Sequence, residues 1–210
     1  MRNYENSAIW GTYGDEHKGV CLIFEPIKGS DIDYLSLTPA NGYNSPSSIF
    51  QLHDIDYQRE YTGINFFESI GCLSKDTIKK YWLMLSDGSE SKYLTKIQHP
   101  NWKYNYRMQF LSHITTKSKD WENENERRVL MTNSPLNEKL SNDSKSFSYD
   151  FKSLKGVIFG IKTSNEDKAK IIKILRKKCT EHNITNFELY QAAFCNNTRR
   201  IKAIPIEAFF

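Results

Sequence analysis

The chain has 210 residues, 39% of them hydrophobic and 13% aromatic, with a formal net charge of +4. That is enough apolar material for a core without disulfides or metals, and it excludes an intrinsically disordered chain. The longest apolar run, Val20-Cys21-Leu22-Ile23-Phe24, is far short of the roughly 20 residues that cross a bilayer, and residues 1–6 hold no apolar signal segment. The expectation is a soluble, cytoplasmic protein with no membrane contact.

Taken in chain order, Ser7 opens a helix in which Ile9, Trp10, Tyr13 and His17 recur at helical spacing. Gly19 then breaks it before a strand over Val20–Phe24. Residues 29–48 are polar and punctuated by Gly and Pro, and read as a long excursion; Ile55-Asp56-Tyr57 reads as a short strand. Ser74 caps a helix reaching Leu85, with Ile78, Tyr81, Trp82 and Leu85 as its apolar stripe. Residues 87–105 read as loop, 107–113 as a helical turn, 129–131 as a strand and 133–145 as an exposed loop. Residues 154–161 have the pattern of a buried strand. A helix then opens at Ser164, with Asp167 three residues later, and runs to about Cys179 before a strand over 187–194.

Strands separated by long irregular stretches predict an α+β fold, a single mixed-sheet domain spanning 1–210 with flanking helices and long loops. The three most apolar extended runs, 20–24, 129–131 and 157–161, are expected to share its sheet. The 166–178 helix should cover that sheet through Ile171, Ile174 and Leu175, with its lysines outward. From Asp150 onward there are twelve basic and six acidic residues. The excess alternates with apolar positions along this helix, as on a solvated face. Nucleic acid is therefore a partner the sequence allows and does not indicate.

Cys21, Cys72, Cys179 and Cys195 form no Cys-x-x-Cys pair, and the five histidines include no i, i+4 pair, so no metal site is expected. Two stretches have chemical potential. Glu122, Glu124 and Glu126 repeat with period two, so in an extended chain all three point the same way and call for cations or a ligand. Trp10, Tyr13 and His17, on one helical face, combine stacking surface with hydrogen-bonding tips. The plain alternatives are a solvated charged edge for the first and core packing for the second.

Three segments resemble a known bacterial family, the domain of unknown function DUF2971. Ile9-Trp10, Tyr13, His17, Gly19 and Phe24 fill its opening pattern, with Thr12 where His is common. Lys117, Trp121, Glu124, Glu126 and Arg128 match a second pattern, and Leu154-Lys155-Gly156-Val157-Ile158-Phe159-Gly160 matches a third. Members of the family usually carry a further region before the Trp-x-x-Tyr helix. The resemblance thus implies a domain shortened at its N-terminus, a Val20–Phe24 strand lacking a neighbour, and a second chain as the partner that supplies the region.

Glu-x-Glu also resembles the signature of ADP-ribosyltransferases. By that resemblance Glu126 stabilises an oxocarbenium-like transition state and Glu124 orients or deprotonates an acceptor. Trp10 or Tyr13 stacks on a base or nicotinamide ring, with His17, Lys117, Trp121 and Arg128 completing a ligand site. NAD is then the substrate, and the chain an ADP-ribosyltransferase-like or NAD-glycohydrolase-like effector of toxin or phage-defence type. The competing reading is a non-catalytic nucleotide- or partner-binding regulatory module, in which the basic residues make the contacts and the glutamates pair with them. Burial and pairing of the glutamates separate the two.

Overall fold

The computed structural model describes residues 1–39, 47–60, 70–131 and 146–207. The architecture is α+β, and the chain divides into two compact units. One takes Met1–Asp54 and most of the chain from Asn123 onward; the other is built on Ile55–Glu122.

Every strand described belongs to the first unit. Its four-stranded sheet has the order β1 (Val20–Phe24), β7 (Leu154–Phe159), β8 (Glu188–Cys195), β9 (Arg200–Pro205). β7 runs antiparallel to β1 and parallel to β8, and β9 closes the far side as a hairpin with β8. The parallel pair needs a crossover, which the helix Asn165–His182 supplies between β7 and β8. Ser164 caps that helix by accepting from the Asp167 N–H, and Asn183, in the left-handed conformation, ends it.

The central strand β7 is buried along almost its whole length because both sheet faces are covered. On one face Leu154, Val157, Phe159, Leu175, Cys179, Phe187 and Leu189 form the core under the crossover helix. On the other, Ile158, Ala192 and Ile201 pack around Trp10 of α1 (Ser7–Tyr13). Of the expected contacts of the crossover helix, Leu175 is buried and Ile171 packs on the core, whereas Ile174 is 60% exposed. The lysines face outward, apart from half-buried Lys168.

The second sheet corrects the expectation of one shared sheet. It has the order β2 (Ile27–Lys28), β3 (Asp33–Pro39), β4 (Ser48–Asp54), β5 (Arg127–Val129), with β6 (Phe147–Tyr149) also paired to β3. Val129 therefore pairs with Leu52, not with β1 or β7. The strand also begins two residues early, because Arg127 and Arg128 are paired in register with Asp54 and His53 of β4. β3 lies within the stretch read as an excursion and β4 begins at its last residue, Ser48; polar residues interrupt the apolar ones in both, so neither registers as an apolar run. Asp56, read as part of a strand, makes an isolated bridge to Thr116. The expected loop at 133–145 lies outside the described residues.

The second unit is helical. Its core is Ile78, Leu83, Leu94, Ile97 and Trp102. These come from α2 (Lys75–Trp82) with Leu83 just past its end, α3 (Leu94–Gln98) and α4 (Trp102–Thr115). Ser74 caps α2 as expected, accepting from the Thr77 N–H. The stripe is different: Ile78 is buried, and Tyr81, Trp82 and Leu85 are exposed because the helix stops at Trp82 and Leu83 turns inward. α3 and the first turn of α4 lie where a loop was expected; neither has a side-chain cap to announce it. The crossover helix, next in chain order, is α5. No described helix is long and apolar enough to cross a membrane.

Candidate functional site

α1 is capped by Asn6, whose Oδ1 accepts from the Ala8 N–H at 2.9 Å, one residue before the expected Ser7. It ends at Tyr13, so His17 is not on the helical face. Asp15, Glu16 and His17 all have positive φ. They form a left-handed turn held by His17 N–H donating to Trp10 O at 3.2 Å. The turn is locked from the other side: Lys162 N–H donates to His17 O at 2.9 Å, and Gly160 N–H and Thr163 Oγ1 donate to Gly19 O. A Cβ at Gly160 would stand 2.2 Å from His17 O, so only glycine allows this approach. His17 Nδ1 is buried there without a hydrogen-bond partner among the described residues.

Trp10 is core, with its indole N–H donating to Tyr4 O at 2.8 Å. Tyr13 is 57% exposed, yet its hydroxyl reaches inward and donates to Glu124 Oε1 at 2.9 Å. Glu124 is 4% exposed. The first and second sequence motifs thus meet at one hydrogen bond between residues 111 apart in sequence.

The three glutamates do not share a face. Residues Lys119–Glu124 form a 3-10 turn, and Asn125 has a φ of +44°, so the chain is not extended through them. Glu124 meets Tyr13. Glu126 is gripped at both oxygens by Arg128, Nε to Oε1 at 2.6 Å and Nη2 to Oε2 at 3.0 Å, with the two side chains 20% and 32% exposed. In the second unit, Glu122 accepts from Gln58 at 2.7 Å. Lys117 and Trp121 also belong to that unit, where the ammonium lies 4.9 Å from the indole centroid, a cation–π contact.

Beside this, sequence reading missed a set of partners. Arg127, opposite Asp54 across β4 and β5, donates to Asp33 Oδ2 at 2.7 Å, and its Nε lies 3.1 Å from Asp54 Oδ1. Asp54 also accepts two bonds from Arg2. The Arg127 guanidinium, with Lys28 in support, holds the Asp33 carboxyl below the usual range. Lys28 apart, each of these cations is far from its carboxylate in sequence, and no spacing rule links them.

A cavity of about 440 Å³ opens between α1, β1 and residues 1–4. Trp10 and Tyr13 line it, with Cys21 and Ile23 of β1; Arg2 is the charged side chain in its wall. Burial pushes the Cys21 thiol up, so it stays protonated. Glu124 and Glu126 do not line this cavity, contrary to the expected shared cleft. Among the described residues no three His, Cys, Asp or Glu side chains come together as a metal site.

The family described as protein of unknown function DUF2971 matches residues 9–129, more than half of the chain. The chain belongs to DUF2971. The matched residues carry the first two motifs, from Ile9 to Arg128. The third, 154–160, lies beyond them and forms β7, the strand that pairs with β1 of the first motif. No curated protein and no solved structure matches this DUF2971 chain.

Proposed function

We propose that this DUF2971 chain is a non-catalytic regulatory module that binds a partner at the cavity beside Trp10 and Tyr13. The observation that supports it is the bidentate pairing of Glu126 with Arg128. A carboxylate that stabilises an oxocarbenium ion must offer its charge to the reacting carbon. The charge of Glu126 is already engaged by a guanidinium whose two bonds match its geometry. The cavity beside Trp10 and Tyr13 has the makings of a binding surface: mainly apolar walls, aromatic and aliphatic, within the size range of ligand sites. Four free cysteines favour a reducing compartment, which supports reading the module as cytoplasmic.

A second reading is favoured by the Tyr13–Glu124 contact. A buried carboxylate held by a phenol is a plausible catalytic group, and in that reading NAD is the substrate and the chain an ADP-ribosyltransferase-like or NAD-glycohydrolase-like effector in toxin or phage defence. Its centre moves from Glu126 to Glu124. Incubation with labelled NAD and cell extract separates the two: the module neither transfers label to an acceptor nor hydrolyses NAD. Label transfer or NAD hydrolysis that is lost in Glu124→Gln would establish the second reading.

A further inference from the structure

We infer that the partner enters as an extended peptide segment that adds a strand to the open edge of β1. This rests on the binding-module reading and specifies what the module binds. Among the described residues β1 is paired on one side only, to β7. Gly19 and Gly160 face one another in the continuation of this ladder, and Gly160 N–H donates to Gly19 O at 3.0 Å. The alternation of an antiparallel pair then turns the backbone groups of Cys21 and Ile23 toward β7, and those of Val20 and Leu22 toward the open edge.

What makes this edge a receptor is the space beside it. Side chains of one strand alternate between the two faces of a sheet, and each face of the sheet at β1 has its own cavity. On the α1 side, Cys21 and Ile23 pack with the Trp10 cluster, and the 440 Å³ cavity there runs along all five residues of β1. On the α5 side, Val20 and Leu22 line a second cavity of about 620 Å³, with Ile171, Ile174 and Tyr149 among its walls. Leu22 and Ile174 stay largely exposed there. A strand laid along the edge would drop successive side chains alternately into the two cavities, satisfying the backbone groups of Val20 and Leu22 as it does so. A small molecule or a docking helix would fill one cavity and leave the edge unpaired.

The walls also define the chemistry of the segment. They are apolar on both faces, so its residues are apolar at consecutive positions over about four residues, whose alternate members enter opposite cavities. The cations in the walls, Arg2 and Lys178, already hold Asp54 and Glu181, so the walls set no charge for the residues that flank the run.

The test uses the full chain and a fluorescent, capped heptapeptide of alternating valine and phenylalanine flanked by glutamates. Two further versions carry N-methyl groups, one on the odd-numbered amides and one on the even. A strand pairs through one edge, so one N-methylated version should lose at least about tenfold in affinity by anisotropy while the other binds like the parent. Saturating peptide should slow hydrogen exchange at the Val20 and Leu22 amides by about tenfold and leave Cys21 and Ile23 little changed. Leu22→Lys, at an exposed position, should weaken binding without unfolding the protein. Binding that both N-methylated versions retain would overturn strand addition while leaving a side-chain binding module intact. Absence of binding by the parent peptide would overturn the proposal itself, with the NAD assay still deciding the module reading. Protection of Val20 and Leu22 that rises with protein concentration, without peptide, would replace the partner by a second copy of this chain.

Discussion

Separate alanine substitutions of Glu126 and Arg128, and the double variant, measure how far their contact is structural. The pair is bidentate and about one-quarter exposed, so it lies between two regimes. Fully exposed ion pairs couple by about 0.2–1 kcal/mol, and removing one partner of a fully buried pair costs about 3–5 kcal/mol. A coupling of about 1–2 kcal/mol is expected from the cycle. Each single variant should then lower the melting temperature by about 3–6 °C in a chain of this size. Urea unfolding followed by circular dichroism gives the four free energies, and repeating it in 1 M salt should shrink the coupling only modestly because the pair is partly shielded. A coupling below about 0.3 kcal/mol would mean the contact contributes little, and would remove the main argument for reading Glu126 as structural.

Three further outcomes follow from the same geometry. Tyr13→Phe removes the donor to buried Glu124 and should cost about 1–2 kcal/mol, a charge-assisted bond discounted for the exposed ring; equal stability in urea would show that the contact is incidental. Gly160→Ala sets a methyl against backbone oxygens that cannot rotate away, and should cost about 3 kcal/mol or more, read as a lowered urea midpoint; a variant as stable as the parent would mean the His17 turn yields freely. Asp33 has a folded-state pKa depressed by Arg127 and Lys28, so its contribution is present above the unfolded value near 4 and is lost as pH falls through the lower folded value. Asp33→Asn should therefore be less stable than the parent at pH 7 and converge with it as the pH is taken below the unfolded value; a difference that persists unchanged through the acid range would point to packing instead.

The parts of the fold that local rules govern were legible. Ser164 with Asp167 announces α5, the run of buried residues marks β7, and Ser74 marks α2, because caps and apolar periods are written within a few residues. β3 and β4 were not legible. Polar residues interrupt their apolar ones, few positions are deeply buried, and part of their pairing is with β5 and β6, which are distant in sequence. The candidate site divides the same way. Period two drew attention to Glu122, Glu124 and Glu126, but whether it implies a shared face depends on an extended backbone, and the 3-10 turn with Asn125 at positive φ removes that condition. His17 left the Trp10–Tyr13 face for a similar reason, since three left-handed residues follow Gly14. The partners of Arg127 are Asp33 and Asp54, which only the second sheet brings within reach.

The claim that Glu126 serves structure and not chemistry is tested most directly by nicotinamide release from NAD, quantified for the parent and for Glu126→Gln. The account predicts that both proteins release no more nicotinamide than buffer alone. Turnover by the parent that falls about 10²–10³-fold in Glu126→Gln, the loss typical of a deleted transition-state contact, would contradict it.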